Sequence, residues 1–368
     1  MNGSVRSLPL IALAVAGLMA VQESRAVSTT VTTNPVGYVQ LTCTAASDTT
    51  VAVPFTQPAA FVGTVASVSG STVTVSGTAG WTVNQLTYAV TGSSTYYAQM
   101  GPYSSGSDPL DGSYFTIVAN GTNTLTLALG GDNISTVPAG STITVYPYWT
   151  LGTVFPPSTS GTAFIASTSP VVRQTQIFLP NYSAAGDYLS TAATYFFYNS
   201  AWRMVGDLVT NSHNNDILIP DGYITVRNPS ATTTLTSMGN VQTGNFMIPL
   251  DTLTSGPQDN AVGICRPVDT SLNNLGLISS GAFTPSTSPV VRKDQIFLVS
   301  NTSVGLYKSA NATYFYYMGT SGTGWRLVGD LITNDHGNDL IPAGTGFTIR
   351  KVASSNGASA FWQNPPTY

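Results

Sequence analysis

Charge is what this sequence has least of. Its 368 residues carry 12 Lys and Arg against 16 Asp and Glu, or 8% charged, where an ordinary globular domain has roughly 25%. With a net charge of −4 and a pI near 4.9, the chain lacks the electrostatic footprint for nucleic acid or an anionic membrane surface. Glutamate occurs once, at Glu23, so a paired-carboxylate hydrolase would have to run on Asp alone. No G-x-S-x-G elbow marks a nucleophile. Helical periodicity is nearly missing, and no run beyond the N-terminus is long and apolar enough to span a membrane as a helix. What is present is 92 Ser and Thr, 35 Gly and 22 Pro beside 42% hydrophobic residues, too apolar a mixture to stay unfolded.

Residues 1–26 read as a secretory signal, with Arg6, an apolar stretch Leu8 to Val21, and Ser24-Arg25-Ala26 before a cut at Val27. Export would place the only cysteines, Cys43 and Cys265, in an oxidising compartment where one disulfide between them is a fair expectation. Between 27 and 172 there is no Lys or Arg. That region must rest on apolar burial, ladders and hydroxyl hydrogen bonds.

Short runs of Val, Thr, Ile, Tyr and Phe alternating with Ser, Thr or Gly recur every 8–12 residues, which predicts an all-β fold. The segment 61–77 reads as a hairpin reversing at Ser69-Gly70-Ser71. A second hairpin joins 113–119 to 124–129, with Asn120-Gly121 expected to supply positive φ. Residues 27–157 are therefore expected to form an N-terminal β-sandwich or small barrel.

The strongest pattern is an internal duplication. STSPVVRQTQIFL at 167–179 returns as STSPVVRKDQIFL at 286–298, and ATYFFY at 193–198 returns as ATYFYY at 312–317. WRMVGDLVTNSHNNDILIP at 202–220 then returns as WRLVGDLITNDHGNDLIP at 325–342, four residues later than that offset predicts. The extra length falls between the aromatic run and the Trp-Arg run, so these are the arms of one hairpin. Two tandem homologous β units are expected over 158–240 and 282–368, with 241–281 as connecting strands.

Both histidines sit at matched places, in TNSHNND and TNDHGND. Asp207, His213 and Asp216, with Asp330, His336 and Asp339, could hold a cation, for which Ca²⁺ suits the oxygen donors. The same residues also suit a long turn capped by its own side chains. Arg173, Arg203, Arg227, Arg292, Arg326 and Arg350 recur in register, and Arg–carboxylate pairs locking strand ends are expected of them. Tyr198 and Tyr317 on the aromatic strands, with Trp202 and Trp325 on the opposing arms, are either a platform for sugar rings or core.

The combination of TNPVGYVQL at 33–41, PYWTLGTVFP at 147–156, RPVD at 266–269 and the repeated ATYF…GWR…GD…ND…IPAGTGFTIR unit resembles a paralogous family of secreted proteins of environmental Gram-negative bacteria. That resemblance implies export and a shared architecture; it carries no activity and no catalytic residues. The expectation is an exported, non-enzymatic β-protein of the cell surface, structural or adhesive, whose partners are itself or surface glycans and proteins. A glycan-binding module and a secreted hydrolase are the alternatives.

Overall fold

Alternating apolar and hydroxyl-bearing residues become strand after strand in the computed structural model, which describes residues 35–87, 95–104 and 110–366. The protein is all-β, and among the described residues no helix is long and apolar enough to cross a membrane. The segment 1–26, read as a signal, lies outside the described residues.

Two strands, β1 (Val36–Cys43) and β2 (Ser47–Ala52), precede a closed barrel. The barrel is built from β3 (Phe61–Ser69), β4 (Thr72–Val75), β5 (Tyr96–Met100), β6 (Tyr114–Asn120), β7 (Thr124–Ala128) and β8 (Thr142–Pro147), in the order β3-β4-β7-β6-β5-β8. Alternation decides which side each residue takes: Val73, Val75, Leu125 and Leu127 point into the barrel core, while Thr72, Thr74, Thr124 and Thr126 are less buried. Closure removes strand edges, and this region has no lysine with which to guard one. The β3–β4 reversal has Gly70 at φ 57°. At the β6–β7 reversal neither Asn120 nor Gly121 takes the positive φ expected of it. The Asn120 side chain is buried instead, accepting from Leu86 N at 2.8 Å and donating to Thr82 O at 2.9 Å, so it fastens a neighbouring loop rather than shaping the turn.

After the barrel come β9 (Trp149–Thr150), β10 (Gln176–Pro180), β11 (Thr191–Tyr198), β12 (Ala201–Met204), β13 (Ile217–Leu218), β14 (Tyr223–Asn228) and β15 (Thr233–Asn240). They form a sheet in the order β12-β11-β10-β14-β2, a ribbon β1-β15 and a short pair β13-β9. The strands β16 (Phe246–Leu250), β17 (Gln258–Gly263), β18 (Thr270–Ser271), β19 (Gln295–Leu298), β20 (Ala312–Gly319), β21 (Gly322–Leu327), β22 (Leu340–Ile341), β23 (Gly346–Lys351) and β24 (Ala360–Asn364) follow. They form a sheet in the order β21-β20-β19-β23-β17, a ribbon β16-β24 and a short pair β18-β22. Strand for strand, the second set has the connectivity of the first. The first module is therefore β1, β2 and β9–β15, the second is β16–β24, and the barrel interrupts the first between β2 and β9.

This pairing departs from the boundaries the sequence suggested. β1 and β2 lie within 27–157 but take no part in the barrel: β1 runs antiparallel to β15, from Val36 opposite Asn240 to Cys43 opposite Thr233, and β2 runs antiparallel to β14. Residues 241–281 do supply strands, β16, β17 and β18, but these pair with β24, β23 and β22 and so belong to the second module. Local alternation announces a strand but not a partner nearly two hundred residues away.

Candidate functional site

Each repeated hairpin brings an aromatic strand against a Trp-Arg strand. Trp202 is 0% and Trp325 1% exposed, and Tyr317 is buried with them at 4%. The Trp202 indole N–H donates to Phe155 O at 3.1 Å, which satisfies its one polar atom inside a core shared with Phe164 and Phe197. Tyr198 is half-buried at the hairpin end, and its carbonyl accepts from Arg203 Nε. The aromatic platform proposed from sequence is thus mostly core. Both faces of these strands are covered, one by the module interior and the other by arginine side chains.

Arg203 has no carboxylate partner among the described residues; its guanidinium donates to the carbonyls of Tyr198, Asn199, Thr210 and Asn211 at 2.8–3.2 Å. Arg326 donates to Trp325 O at 3.0 Å and stands 3.4 Å from Asp335. Arg173 and Arg292 make no described ion pair and lie over the Phe196 and Phe315 rings at 5.1 and 5.4 Å. The expected pairs therefore fail for Arg173, Arg203 and Arg292. Carbonyls at hairpin and loop ends, together with ring faces, take the place of carboxylates.

Besides the longer Arg326–Asp335 contact, two arginines pair closely, with aspartates that the repeats did not reveal. Arg227 grips Asp48 through Nε and Nη2 at 2.6 and 2.7 Å, and Arg350 grips Asp259 at 2.7 and 2.9 Å. Each guanidinium is held between two rings, Arg227 between Phe178 and Tyr307, Arg350 between Phe297 and Tyr188. Tyr307 belongs to the second module and covers the pair of the first; Tyr188 belongs to the first and covers the pair of the second. The backbone repeats this exchange. Asp48 N donates to Gly305 O and Asp259 N to Gly186 O, at 2.9 and 3.0 Å; Tyr307 N donates to Asp48 Oδ2 and Tyr188 N to Asp259 Oδ2, at 2.7 and 2.9 Å. Ala52 N to Gly344 O and Gly263 N to Asp221 O, both 2.7 Å, complete a reciprocal seam. Tyr188 and Tyr307 hold φ at 58° and 53°, a conformation that bulky residues avoid unless their surroundings impose it. Bidentate hydrogen bonding to the aspartates raises the pKa of both arginines against the opposing effect of burial.

The two histidine loops assemble alike. His213 places Nδ1 2.9 Å from Asp216 and Nε2 2.9 Å from Asp207, while Tyr195 donates to Asp216 at 2.9 Å. His336 does the same with Asp339 and Asp330, at 2.9 Å each, and Tyr314 donates to Asp339 at 3.0 Å. The loop backbones also fasten the edge strands, His213 N to Trp202 O and His336 N to Trp325 O. Both ring nitrogens of each histidine thus face separate carboxylates. Among the described residues no group of three or more His, Cys or acidic side chains is placed to hold a metal ion. The residues named as cation ligands do come together, but as a hydrogen-bonded chain.

Asn334 most of all, then the Leu331 backbone and His336, hold the Asp330 carboxyl down at about 2. Burial works against the His336 imidazolium, but its bonds to Asp339 and Asp330 outweigh that and raise its pKa. The sign follows: a raised histidine pKa stabilises the loop below the unfolded value near 6.5 and is lost as pH rises through the folded one. In an NMR titration the His336 ring is expected to titrate above 6.5; a midpoint below 6.5 would contradict the carboxylate chain.

Cys43 and Cys265 are free thiols, each buried in the core of a different module. The expected disulfide is not formed because the two thiols belong to separate cores. Burial raises both pKa values, that of Cys43 to about 11, so neither is an activated nucleophile.

Asp221 is not among the residues singled out by the repeats or the charge pattern. It sits in the turn before β14, 6% exposed, where barrel and both modules meet. Tyr114 of the barrel donates to it at 2.7 Å, and its pKa is pushed up to about 6 by burial against that hydrogen bond. A cleft of about 610 Å³, lined by Gln40, Leu41, Asn301 and Pro342 among others, contains none of the repeated Arg, Asp or His side chains. Comparison with family models, curated proteins and solved structures finds no match for this chain.

Proposed function

We propose that the protein is an exported, non-enzymatic β-protein that serves at the cell surface as a structural or adhesive component. On this reading the two modules are copies of one unit, the first carrying the barrel as an insertion. The observation that carries it is the reciprocal seam: in a chain with so few charges, the Arg227–Asp48 pair of one module and the Arg350–Asp259 pair of the other each receive a tyrosine from the opposite module. The histidines are likewise engaged with carboxylates of their own loops. What the modules present outward at matched positions is apolar: Val171 and Val172 at one loop tip, Val290 and Val291 at the other, are 55–85% exposed. Paired apolar tips on a rigid body suit contact with another surface. Export is supported by the composition of residues 1–26.

Size-exclusion chromatography and negative-stain imaging of the mature protein test this reading. Self-association, or retention on cells that produce it, is the expected result, reduced when Val171, Val172, Val290 and Val291 are changed to Ser. A strictly monomeric protein that binds no cell surface counts against it.

A further inference from the structure

A buried ion pair in the second module occupies a place where the first module manages without charge. Asp294 is 0% and Lys351 3% exposed, and Lys351 Nζ contacts Asp294 Oδ2 and Ala282 O. β19 and β23 pair with Gln295 opposite Arg350. One step further along this antiparallel register, Asp294 stands opposite Lys351. In the first module Gln176 is opposite Arg227, and the next position holds Thr175 and Asn228, both 0% exposed, with Thr175 Oγ1 donating to Asn228 Oδ1 at 2.6 Å. The same connectivity therefore accepts a neutral hydrogen bond here. Removing two charges from water is expensive, and replacing a buried ion pair by neutral groups is often no loss. Fold stability alone does not account for Lys and Asp at this site.

The surroundings suit a reaction between them. Thr284 N donates to Asp294 Oδ2 at 2.6 Å and Val352 N donates to Oδ1 at 2.9 Å, so each carboxyl oxygen has a fixed backbone donor. The Phe283 ring lies 6.0 Å from Nζ. Among the described residues neither side chain makes a second ion pair.

We propose that Lys351 and Asp294 condense to an intramolecular isopeptide bond that covalently ties β23 to the segment entering β19. In the first step one proton passes from the ammonium to Oδ2, giving a neutral amine beside a neutral carboxylic acid. The Nζ lone pair attacks Cγ, and the developing negative charge on Oδ1 is held by the Val352 N–H. A second proton passes from Nζ to Oδ2, the Cγ–Oδ2 bond breaks, and one water leaves. The product is a secondary amide, with no oxidant, reductant or added reagent consumed. Fixed juxtaposition of the reacting groups supplies the proximity that such a condensation requires. Thr175 and Asn228 hold neither an amine nor a carboxyl group, so the first module is not expected to cross-link.

Intact mass spectrometry of the purified full chain, followed by a tryptic digest, tests the bond. The expected mass is one water below that calculated for the residues present in the purified chain, with the peptides containing Asp294 and Lys351 recovered as one branched species. Single replacements could leave a buried charge unpaired and unfold the module. The control is the double variant Asp294→Thr with Lys351→Asn, which copies the first module's neutral pair and is expected to fold and show its full mass. Wild-type protein at full mass with the two peptides separate would overturn the proposal. So would a water loss that persists in the double variant, because the dehydration would then lie elsewhere.

Discussion

Replacing Asp221 by Asn is expected to flatten much of the fall in stability between pH 4 and pH 7.5. Asp221 is almost fully buried, its partner Tyr114 is a neutral hydroxyl, and no ion pair among the described residues compensates its charge. Burial, the largest influence, raises its pKa from 3.8 to about 6. A carboxyl raised on folding contributes fully below its unfolded pKa, and that contribution is lost as pH rises through the folded one. The difference corresponds to roughly 3 kcal/mol at neutral pH. Because Asp221 joins the barrel to both modules, its ionisation should loosen that junction first. Thermal melts of wild type and variant across this pH range measure the effect. Parallel curves would mean that Asp221 ionises freely in the folded protein.

The second large effect is expected at the seam. Asp259→Ala leaves the Arg350 guanidinium between two rings without its bidentate partner and removes the acceptor of the Tyr188 N–H. Breaking a largely buried pair from one side typically costs about 3–5 kcal/mol. The more distant Asp187, 3.7 Å from Arg350, should recover part of this. Arg350→Met combined with Asp259→Ala should cost less than the two single changes added together, since no charge is then left unpaired. Asp48→Ala should behave in the same way at Arg227. Chemical denaturation of the four variants of such a cycle measures the coupling. Additive losses would show that the residues act independently.

Much of the local architecture was legible in the sequence, because a strand's faces and a hairpin's turn are written in neighbouring residues. TVTV and TLTLA alternate, and the four-residue difference between the repeats marked the tip of the β20–β21 hairpin. The assembly of the modules was not legible in the same way. β2 and β17 read SDTTVA and QDNAVG, which share little beyond the aspartate that matters, so neither Asp48 nor Asp259 was found. A signal did exist for their covers: Gly186 and Tyr188 recur as Gly305 and Tyr307 at the same offset as the aromatic strands. Carboxylate partners were expected of all six repeated arginines; Arg227, Arg350 and Arg326 have them, whereas Arg203 bonds carbonyls and Arg173 and Arg292 lie over rings. Sequence spacing gives register within a hairpin, whereas the choice between a carboxylate, a carbonyl and a ring face depends on which strand arrives from far away. The histidine loops illustrate the converse. Their Asp and Asn residues do converge, but spacing alone could not show that both ring nitrogens would be occupied by carboxylates.

The seam, the histidine loops and the outward valines together describe a body whose polar side chains hold its own shape. Surface labelling of intact cells producing the protein, with a membrane-impermeant reagent and detection of the mature chain, tests that account most directly. The account predicts a labelled, cell-associated protein, and a variant with Ser at Val171, Val172, Val290 and Val291 that is still folded and exported but released from the surface. Protein that stays unlabelled inside intact cells, or a variant retained as firmly as the wild type, would contradict it.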